Sequence, residues 1–472
     1  MDATAGAAAR AKHLAVYLAM LASAVAVFVL VRHLGQSLIA LPRPAGQVAF
    51  GAASGASAAQ SLASFLAALI VVIASARVLG AVFARLGQAP VIGEMIAGIV
   101  LGPSLLGRAW PAASFALFPP SVVELLGLGA QASVVLFMFL VGLDLNPKHL
   151  KGHSHVTVVT SHAGIVAPFV LGTLLALYLY PRYATPDVPF AVFALFSGVS
   201  LSVTAFPVLV RILGDLGIQH TRLGVLALAC AAVDDVSAWL LLAALTGVAK
   251  ADATSALRAL ALTVAYVGFM FALVRPRLER LVGALDASGG LNRTAMSLGF
   301  LGILASALVT EWIGIHALFG AFLLGVVTPH DSAVAEDLKR RLEDLVVVVA
   351  LPVFFAYTGL RTRIGLQGGY AEWLDLLLIV AVATAGKVGG SFVAAWGLGV
   401  PKRDALALGI LMNTRGLMEL VVLNVGLDLG VLSPELFALL VVMAVATTVV
   451  TTPLVRPLVR RSLGRAETAA SS

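Results

Sequence analysis

The chain has 472 residues, of which 60% are hydrophobic and 12% are charged, and its formal net charge is +7. Soluble domains are about half apolar and about a quarter charged, so this composition excludes a water-soluble protein. The basic residues are scattered between apolar runs rather than gathered on one polar domain, which argues against a nucleic-acid partner. A single cysteine, Cys230, permits neither an intrachain disulfide nor a cysteine metal site.

The hydropathy pattern predicts fourteen membrane spans, since a helix needs about 20 apolar residues to cross a bilayer core. They are residues 14–31, 59–83, 90–106, 122–142, 155–180, 189–210, 222–247, 257–274, 294–309, 313–328, 342–359, 371–396, 404–426 and 435–455. The first span follows Arg10 and Lys12. We interpret it as a retained helix rather than a cleaved signal peptide, because its apolar run continues to Val31.

The basic residues predict the orientation of the chain. Lys and Arg accumulate in short cytoplasmic connections. One set of alternate connections, together with both termini, holds 20 of the 31 basic residues, and the other set holds 8. Both termini are therefore predicted to be cytoplasmic. The remaining three, Arg77, Lys387 and Arg415, fall inside spans, and Arg77 is interpreted as snorkelling to a nearby cytoplasmic interface.

Two motifs occur twice, seven spans apart. Residues 136–143 (LFMFLVGL) resemble 352–360 (PVFFAYTGL), and 97–102 (AGIVLG) resemble 320–325 (GAFLLG). Because seven is an odd number, the second copy of each motif crosses the membrane in the opposite direction. This predicts two inverted six-helix repeats, which are typical of transporters. Chance likeness between glycine-rich helices is the alternative. The predicted organisation is an extra helix and loop (1–58), a first repeat (59–248), a linker helix and cytoplasmic loop (249–293), a second repeat (294–456) and a short cytoplasmic tail (457–472).

Two adjacent carboxylates, Asp234 and Asp235, lie in the middle of an apolar span, within the run CAAVDDVSAWLL. A carboxylate at this depth costs roughly 3 kcal/mol unless it is paired, hydrated or protonated. Protons and cations can compete for the same oxygens at such a doublet, and this competition is all that ion exchange needs. A purely structural hydrogen bond or salt bridge is the alternative.

Two spans carry signals for an interruption at matching positions of the two halves. Pro207 removes a helical donor and disfavours helical geometry before it, which predicts a break near Thr204; a simple proline kink is the alternative. The second interruption is Asn413-Thr414-Arg415-Gly416, within LMNTRGLMELVVLN. Broken helices form midplane ion sites in transporters. Arg415 and Glu419, at i and i+4, could compensate the half-helix termini or pair with each other, and structural roles are favoured for both.

Lys387 lies in the run TAGKVGGS, whose glycines permit close helix approach. A lysine at this depth requires a carboxylate, and one of the two aspartates is the plainest partner. Snorkelling to an interface is the alternative.

The motifs together resemble those of the second monovalent cation/proton antiporter family, in particular plant cation/proton exchangers and their bacterial relatives. These motifs are VIGEMIAGIVLGPSLLG from Val91, SLSVTAFPVLVRIL from Ser200, GIHALFGAFLLGVVTP from Gly314 and MNTRGLMELVVLNVG from Met412. The resemblance covers residues 60–456. It implies an all-α polytopic membrane protein with the sodium/proton antiporter fold, two inverted repeats and crossed broken helices.

The resemblance also implies roles. At matching positions Asp235 is the ion-binding carboxylate, Asp234 is the partner of Lys387, and Thr204, Asn413 and Thr414 are the polar groups of the crossed helices. Asp235, Asp234 and Thr204 would coordinate the transported alkali cation. The resemblance further implies a homodimer in the inner (plasma) membrane that works by elevator-type alternating access. No cofactor is expected beyond the transported Na⁺ or K⁺ and protons.

Competing functions are an intramembrane aspartyl protease and a non-coupled channel or sensor on a transporter scaffold. Proteases of that class carry their aspartates on separate helices in Tyr-Asp and Gly-x-Gly-Asp contexts, whereas Val233 precedes this pair. The sequence has neither a phosphate-binding GxxxxGK[ST] loop nor an HExxH zinc motif. It therefore predicts a secondary transporter driven by ion gradients rather than an enzyme. The choice between Na⁺ and K⁺, and the stoichiometry, stay open.

Overall fold

The computed structural model describes residues 19–20, 22–35, 58–144, 154–219, 221–249, 253–287, 292–330, 332–364 and 370–470, and these residues form helices and short connections without strands. The helices are α1 (Ala22–Gly35), α2 (Ala58–Arg85), α3 (Pro90–Leu101), α4 (Leu106–Ala109), α5 (Pro111–Leu117), α6 (Pro120–Asp144), α7 (Ser154–Tyr183), α8 (Phe190–Ser202), α9 (Phe206–Asp215), α10 (Arg222–Ala249), α11 (Ala253–Phe269), α12 (Arg275–Ala287), α13 (Arg293–Ile313), α14 (Ala317–Val327), α15 (Ala333–Leu345), α16 (Leu351–Arg361), α17 (Tyr370–Gly397), α18 (Lys402–Met412), α19 (Leu417–Asp428) and α20 (Pro434–Ala470).

These helices account for the predicted spans. Within the described residues, 11 helical runs are long and apolar enough to cross a membrane, and the broken pair α18 and α19 raises the number to 12. Two shorter apolar helices, α1 and α14, match the first and tenth predicted spans. The prediction of an all-α polytopic membrane protein is confirmed. Residues 14–18 and 21 of the first predicted span lie outside the described residues.

Two helical runs are longer than predicted because each continues as an amphipathic helix through a π turn. Helix α11 continues through Met270–Val274 into α12, past the predicted end at residue 274. Helix α15 begins nine residues before the predicted start at 342, where the Ser332 side chain caps it, and continues through Val346–Ala350 into α16. Hydropathy detects only the apolar part of such a helix.

Arg77 lies beside the second π turn. Its side chain is 43% exposed, as a snorkelling residue would be, yet it also has protein partners. It donates a hydrogen bond to the Val347 carbonyl (3.0 Å) and lies 3.8 Å from the buried Glu94 carboxylate. A π turn displaces carbonyls from the regular helical pattern, so Arg77 satisfies one of them.

The chain divides into two compact units. Unit 1 comprises Met1–Arg43, Gly152–Ala238 and Leu366–Ser472, and unit 2 comprises Pro44–Lys151 and Trp239–Gly365. In unit 1, α7 packs along α8 and α17, and α18 packs on α17 and α20. In unit 2, α3 packs on α2 and α16, and α6 packs on α14. Each unit therefore takes helices from both predicted repeats.

Glycines allow the closest helix approaches in unit 2. A Cβ on Gly102, the C-cap of α3, would lie 2.2 Å from the Gly359 carbonyl oxygen of α16, and a Cβ on Gly325 of α14 would lie 2.8 Å from the Cα of Gly142 in α6. Any larger residue would push the backbones apart. Gly102 and Gly325 belong to the two copies of one repeated motif, and Gly359 and Gly142 belong to the two copies of the other. Each contact therefore joins a motif of one repeat to the other motif of the opposite repeat, which is the pairing that two inverted copies would produce.

Candidate functional site

The first broken helix is interrupted between α8 and α9. Val203 (φ −71°, ψ 138°) and Ala205 (φ −95°, ψ 91°) are extended, with Thr204 between them. Pro207 occupies the first turn of α9. Backbone N–H groups in a first turn have no partner within the helix, so the N–H that proline lacks costs no helical hydrogen bond. The break lies at Thr204, as predicted, and Pro207 begins a second half-helix instead of kinking a continuous one.

The second interruption lies at residues 413–416, where the axes of α18 and α19 are bent by 42°. The two interruptions contact each other directly. The Ala205 N–H donates to the Thr414 carbonyl (2.9 Å), and the Thr204 hydroxyl donates to the Met412 carbonyl (2.9 Å). Backbone groups that the breaks release therefore find partners in the other break, as they must at membrane depth.

Arg415, in the second broken helix, donates hydrogen bonds to carbonyls at the C-terminal end of α8. Its guanidinium, which is fully buried, donates to the carbonyls of Ser200 (3.1 Å) and Leu201 (2.6 Å) and to the Glu419 carboxylate (3.0 Å). Thr448 holds its backbone, accepting from the Arg415 N–H (2.9 Å) and donating to the Arg415 carbonyl (2.7 Å). A cation at a helix C-terminus also compensates the helix dipole. Arg415 therefore both pairs with Glu419 and caps α8.

Lys387 of α17 closes the same helix end. Its ammonium donates to the Ser202 carbonyl and to Asp234, with Nζ 3.0 Å from Oδ2 and 3.2 Å from Oδ1. The Thr204 N–H, freed by the break, donates to the same Oδ2 (2.8 Å). Lys387, Asp234 and Thr204 are all 0% exposed. The lysine is thus paired inside the protein and does not snorkel.

Asp235 differs from its neighbour. Its side chain is also 0% exposed, but among the described residues neither carboxylate oxygen has a hydrogen-bond partner. The Phe206 N–H at the start of α9 is directed towards this carboxylate without the geometry of a full hydrogen bond, and helix N-termini favour negative charge. Successive residues of a helix point about 100° apart. The two adjacent aspartates therefore have different surroundings. Asp234 accepts from the Lys387 ammonium and the Thr204 N–H, whereas both oxygens of Asp235 are available.

Asn413 and Thr414 enter the crossing in different ways. The Asn413 amide donates a long bond to the Thr384 hydroxyl (3.4 Å), and among the described residues its Oδ1 has no partner. The Thr414 hydroxyl donates to Leu411 within its own turn (2.7 Å), so its carbonyl, not its side chain, joins the two breaks. The predicted residues therefore meet at one place in unit 1.

Two contributors to this site were not predicted from the sequence. The carbonyls at the end of α8 depend on tertiary contacts that no residue type reveals. Thr448 does have a sequence signal, because Thr447 and Thr448 interrupt an apolar span and recur one turn later as Thr451 and Thr452. Threonine hydroxyls in membrane helices commonly bond to neighbouring helices.

Comparison with known proteins identifies relatives over most of the chain. Residues 69–461 match the family model described as sodium/hydrogen exchanger, transmembrane. The chain is 45% identical over 386 residues to the Na⁺/H⁺ antiporter NhaS4 of Synechocystis, covering 81% of this chain and 94% of that protein. It is 39% identical over 381 residues to cation/H⁺ antiporter 17 of Arabidopsis thaliana (80% and 46% covered) and 34% over 373 residues to K⁺/H⁺ antiporter 1 of Saccharomyces cerevisiae (77% and 42% covered).

The chain spans less than half the length of these plant and yeast relatives. Its fold is similar to that of the sodium proton antiporter MjNhaP1 from Methanocaldococcus jannaschii. The TM-score is 0.58 at 11% sequence identity, with 84% of this chain and 96% of that chain covered. At this identity the likeness concerns the fold, and it supports the fold class expected from the sequence motifs.

Proposed function

Because this chain belongs to the sodium/hydrogen exchanger family, we propose that it exchanges a monovalent cation for protons at Asp235. Its relatives are named as cation/H⁺ antiporters, so the chain is a secondary transporter of the membrane and not an enzyme. The observation that carries the proposal is the fully buried Asp235 carboxylate, whose two oxygens have no hydrogen-bond partner among the described residues, beside a saturated Lys387–Asp234 pair.

The chemistry of Asp235 suits exchange. An uncompensated carboxylate at membrane depth is costly, and either a proton or a dehydrated cation removes most of that cost. Only one of them can occupy the oxygens at a time. Each ion that enters therefore displaces the other, which couples the two gradients when the site is exposed to the two sides of the membrane in turn.

We further propose that Thr204 and Asp234 complete the cation site. The Thr204 hydroxyl donates to Met412, which leaves its oxygen lone pairs available to a cation. Asp234 is occupied by Lys387 and by the Thr204 N–H, so a cation that reached it would have to weaken the lysine pair. In that case the lysine proton leaves with the proton of Asp235, and two protons exchange for one cation.

The division into units supports an elevator-type mechanism. Asp234, Asp235, Lys387 and both interruptions belong to unit 1, so one compact body carries the complete candidate site. We propose that unit 1 moves as a body during alternating access. We also propose that both termini are cytoplasmic, as the distribution of basic residues predicts. The family resemblance adds the proposal of a homodimer in an inner (plasma) membrane.

The test is exchange in proteoliposomes. We expect Asp235→Asn to reduce cation-driven proton flux to that of protein-free liposomes, because the amide keeps the shape but cannot bind protons or compensate a cation. The matched control is Asp375→Asn, which alters another buried carboxylate of unit 1. Asp375 accepts from Tyr178 (2.8 Å) and Tyr183 (2.7 Å), outside the crossing of the broken helices, so the control should keep exchange.

Exchange by Asp235→Asn at the wild-type rate would overturn the assignment of the site. Cation flux in wild type without accompanying protons would favour the non-coupled channel instead. The relatives' names include both Na⁺ and K⁺ antiporters, so the same liposomes should be tested with Li⁺, Na⁺, K⁺ and Rb⁺ in turn.

A further inference from the structure

Helix α7 carries a hydroxyl stripe, which we define as Thr157, Thr160 and Ser161. The spacing of i, i+3 and i+4 places the three on one face of the helix. They are 2%, 0% and 0% exposed. Among the described residues, none of the three hydroxyls has a hydrogen-bond partner.

Most buried hydroxyls of the described residues have a hydrogen-bond partner, although those of Ser197, Ser200 and Thr452 also lack one. A buried hydroxyl on a helix ordinarily donates back to a carbonyl of the preceding turn. Thr173, further along α7, donates to Val170 (2.8 Å), and Thr447 of α20 donates to Met443 (2.9 Å). An unpaired buried hydroxyl is destabilising. Three of them on one face indicate a polar partner that the described residues do not supply, and water is the partner that buried polar groups ordinarily take.

Two contacts place the hydroxyl stripe close to the candidate site. On one side, the Cys230 thiol donates to the Thr157 carbonyl (3.6 Å), and Asp234 lies one helical turn beyond Cys230 on α10. On the other side, Gly164 lies one turn after Ser161 and allows a close approach of α17, since a Cβ on Gly164 would lie 2.5 Å from the Ser391 hydroxyl. That hydroxyl is also buried without a partner among the described residues.

Ser391 lies one turn from Lys387 on α17. The stripe therefore approaches both members of the Lys387–Asp234 pair. Its other end lies at the start of α7, since Thr157 is three residues after Ser154. At 1.5 Å per residue, Thr157 to Gly164 spans about 10 Å along the helix.

We propose that the hydroxyl stripe, with Ser391, binds a chain of water that conducts protons between the N-terminal end of α7 and the Lys387–Asp234 pair. This rests on the proposed function, to which it adds a proton route inside unit 1. Each hydroxyl or water accepts one proton and passes another on. The hydroxyls and waters then turn back to their first orientation before the next proton enters, so no net chemical change remains. The stripe offers neutral oxygens only, and none of its three residues carries a charge that would compensate an alkali cation at membrane depth.

The single thiol of the chain is a native probe of this route. Because Cys230 is the one cysteine, infrared spectra contain one S–H stretching band from the protein, and transfer into D₂O converts it to S–D. A water-bound stripe predicts that wild type exchanges within minutes. Thr160→Val and Ser161→Ala should each slow the exchange by about tenfold, equivalent to about 1.4 kcal/mol. Thr173→Val, on the same helix with a satisfied hydroxyl, is the control and should not slow it.

Retention of the S–H band for hours in wild type, or equal exchange rates in wild type and both stripe variants, would overturn the proposal. This measurement needs no transport, so its outcome is independent of whether the chain exchanges cations. In liposomes, the stripe variants should lower the maximal exchange rate and leave the apparent cation affinity unchanged. A rise in the cation concentration for half-maximal exchange at an unaltered maximal rate would assign the stripe to cation binding and overturn the proton route.

Discussion

Unit 1 contains two buried ion pairs that look alike and are built differently. Lys387–Asp234 and Arg415–Glu419 both have nitrogen-to-oxygen distances of 3.0 Å, and all four side chains are 0% exposed. The lysine pair joins two helices, α17 and α10. The arginine pair joins the second interruption, which holds Arg415, to the first turn of α19, which holds Glu419. Both cations also bond to carbonyls at the end of α8.

The difference between lysine and arginine separates their roles. Arginine keeps its charge under all ordinary conditions and presents a rigid fork of donors, whereas lysine is a compact charge that can release its proton. Arg415 distributes its donors over Glu419 and two carbonyls. Lys387 bonds to the aspartate next to the carboxylate with available oxygens. We therefore interpret Arg415 as the permanent support of the crossing and Lys387 as the member that changes during transport.

The largest expected effect is that of Arg415→Met. It leaves the Glu419 carboxylate buried without its cation and two α8 carbonyls without donors. Breaking a buried pair from one side costs about 3–5 kcal/mol. We expect a large fall in the apparent Tm of the purified protein and little folded material. Arg415→Lys should recover only part of the loss, because one ammonium cannot reproduce the fork. Wild-type stability in both variants would contradict the supporting role.

Replacement of Lys387 by Gln should destabilise less, by about 1–3 kcal/mol. Asp234 keeps the Thr204 N–H as a donor and can be neutralised by a proton. The measurement that identifies the role of Lys387 is the charge moved per cation. Cation-driven current on a solid-supported membrane should fall, while proton flux in liposomes continues through Asp235, so that exchange becomes electroneutral. The same charge movement per cation in variant and wild type would make Lys387 a structural residue and remove the argument for two protons.

A smaller effect is expected for Thr204→Val, which keeps the shape of the side chain. It removes the hydroxyl that bonds to Met412 across the two interruptions, at about 1 kcal/mol. If Thr204 also coordinates the cation, the concentration for half-maximal exchange should rise more than the maximal rate falls. Loss of stability alone, with unchanged cation affinity, would restrict Thr204 to the crossing.

The smallest effect is expected for Thr448→Val. Thr448 bonds only to backbone groups of Arg415 and to its own helix, so its loss should lower stability by about 0.5–1.5 kcal/mol. Exchange should retain the wild-type cation affinity and charge movement. A change in either would extend the transport site to α20 and would blur the distinction between the supporting pair and the exchanging pair.

Local chemistry made part of this site predictable. Pro207 and the run Asn413-Thr414-Arg415-Gly416 disfavour helix wherever they occur, and both interruptions lie where the sequence predicts them. Lys387 and Arg415 stood out because charges are rare in apolar spans. The partners of Arg415 could not be predicted from the sequence, since Ser200 and Leu201 act through their backbone carbonyls, which every residue possesses. The hydroxyl stripe of α7 had no sequence signal that distinguishes it from ordinary threonines that bond to their own helix.

The sequence by itself determined the membrane class and the positions of both breaks, because hydropathy and backbone restrictions act locally along the chain. Only the tertiary structure decided how the charges are distributed. From the residues alone either aspartate could pair with Lys387, and adjacent helical residues point in different directions. Packing of α17 against α7 and α18 brings the ammonium to Asp234. Asp235 is left with both oxygens unoccupied by the described protein groups.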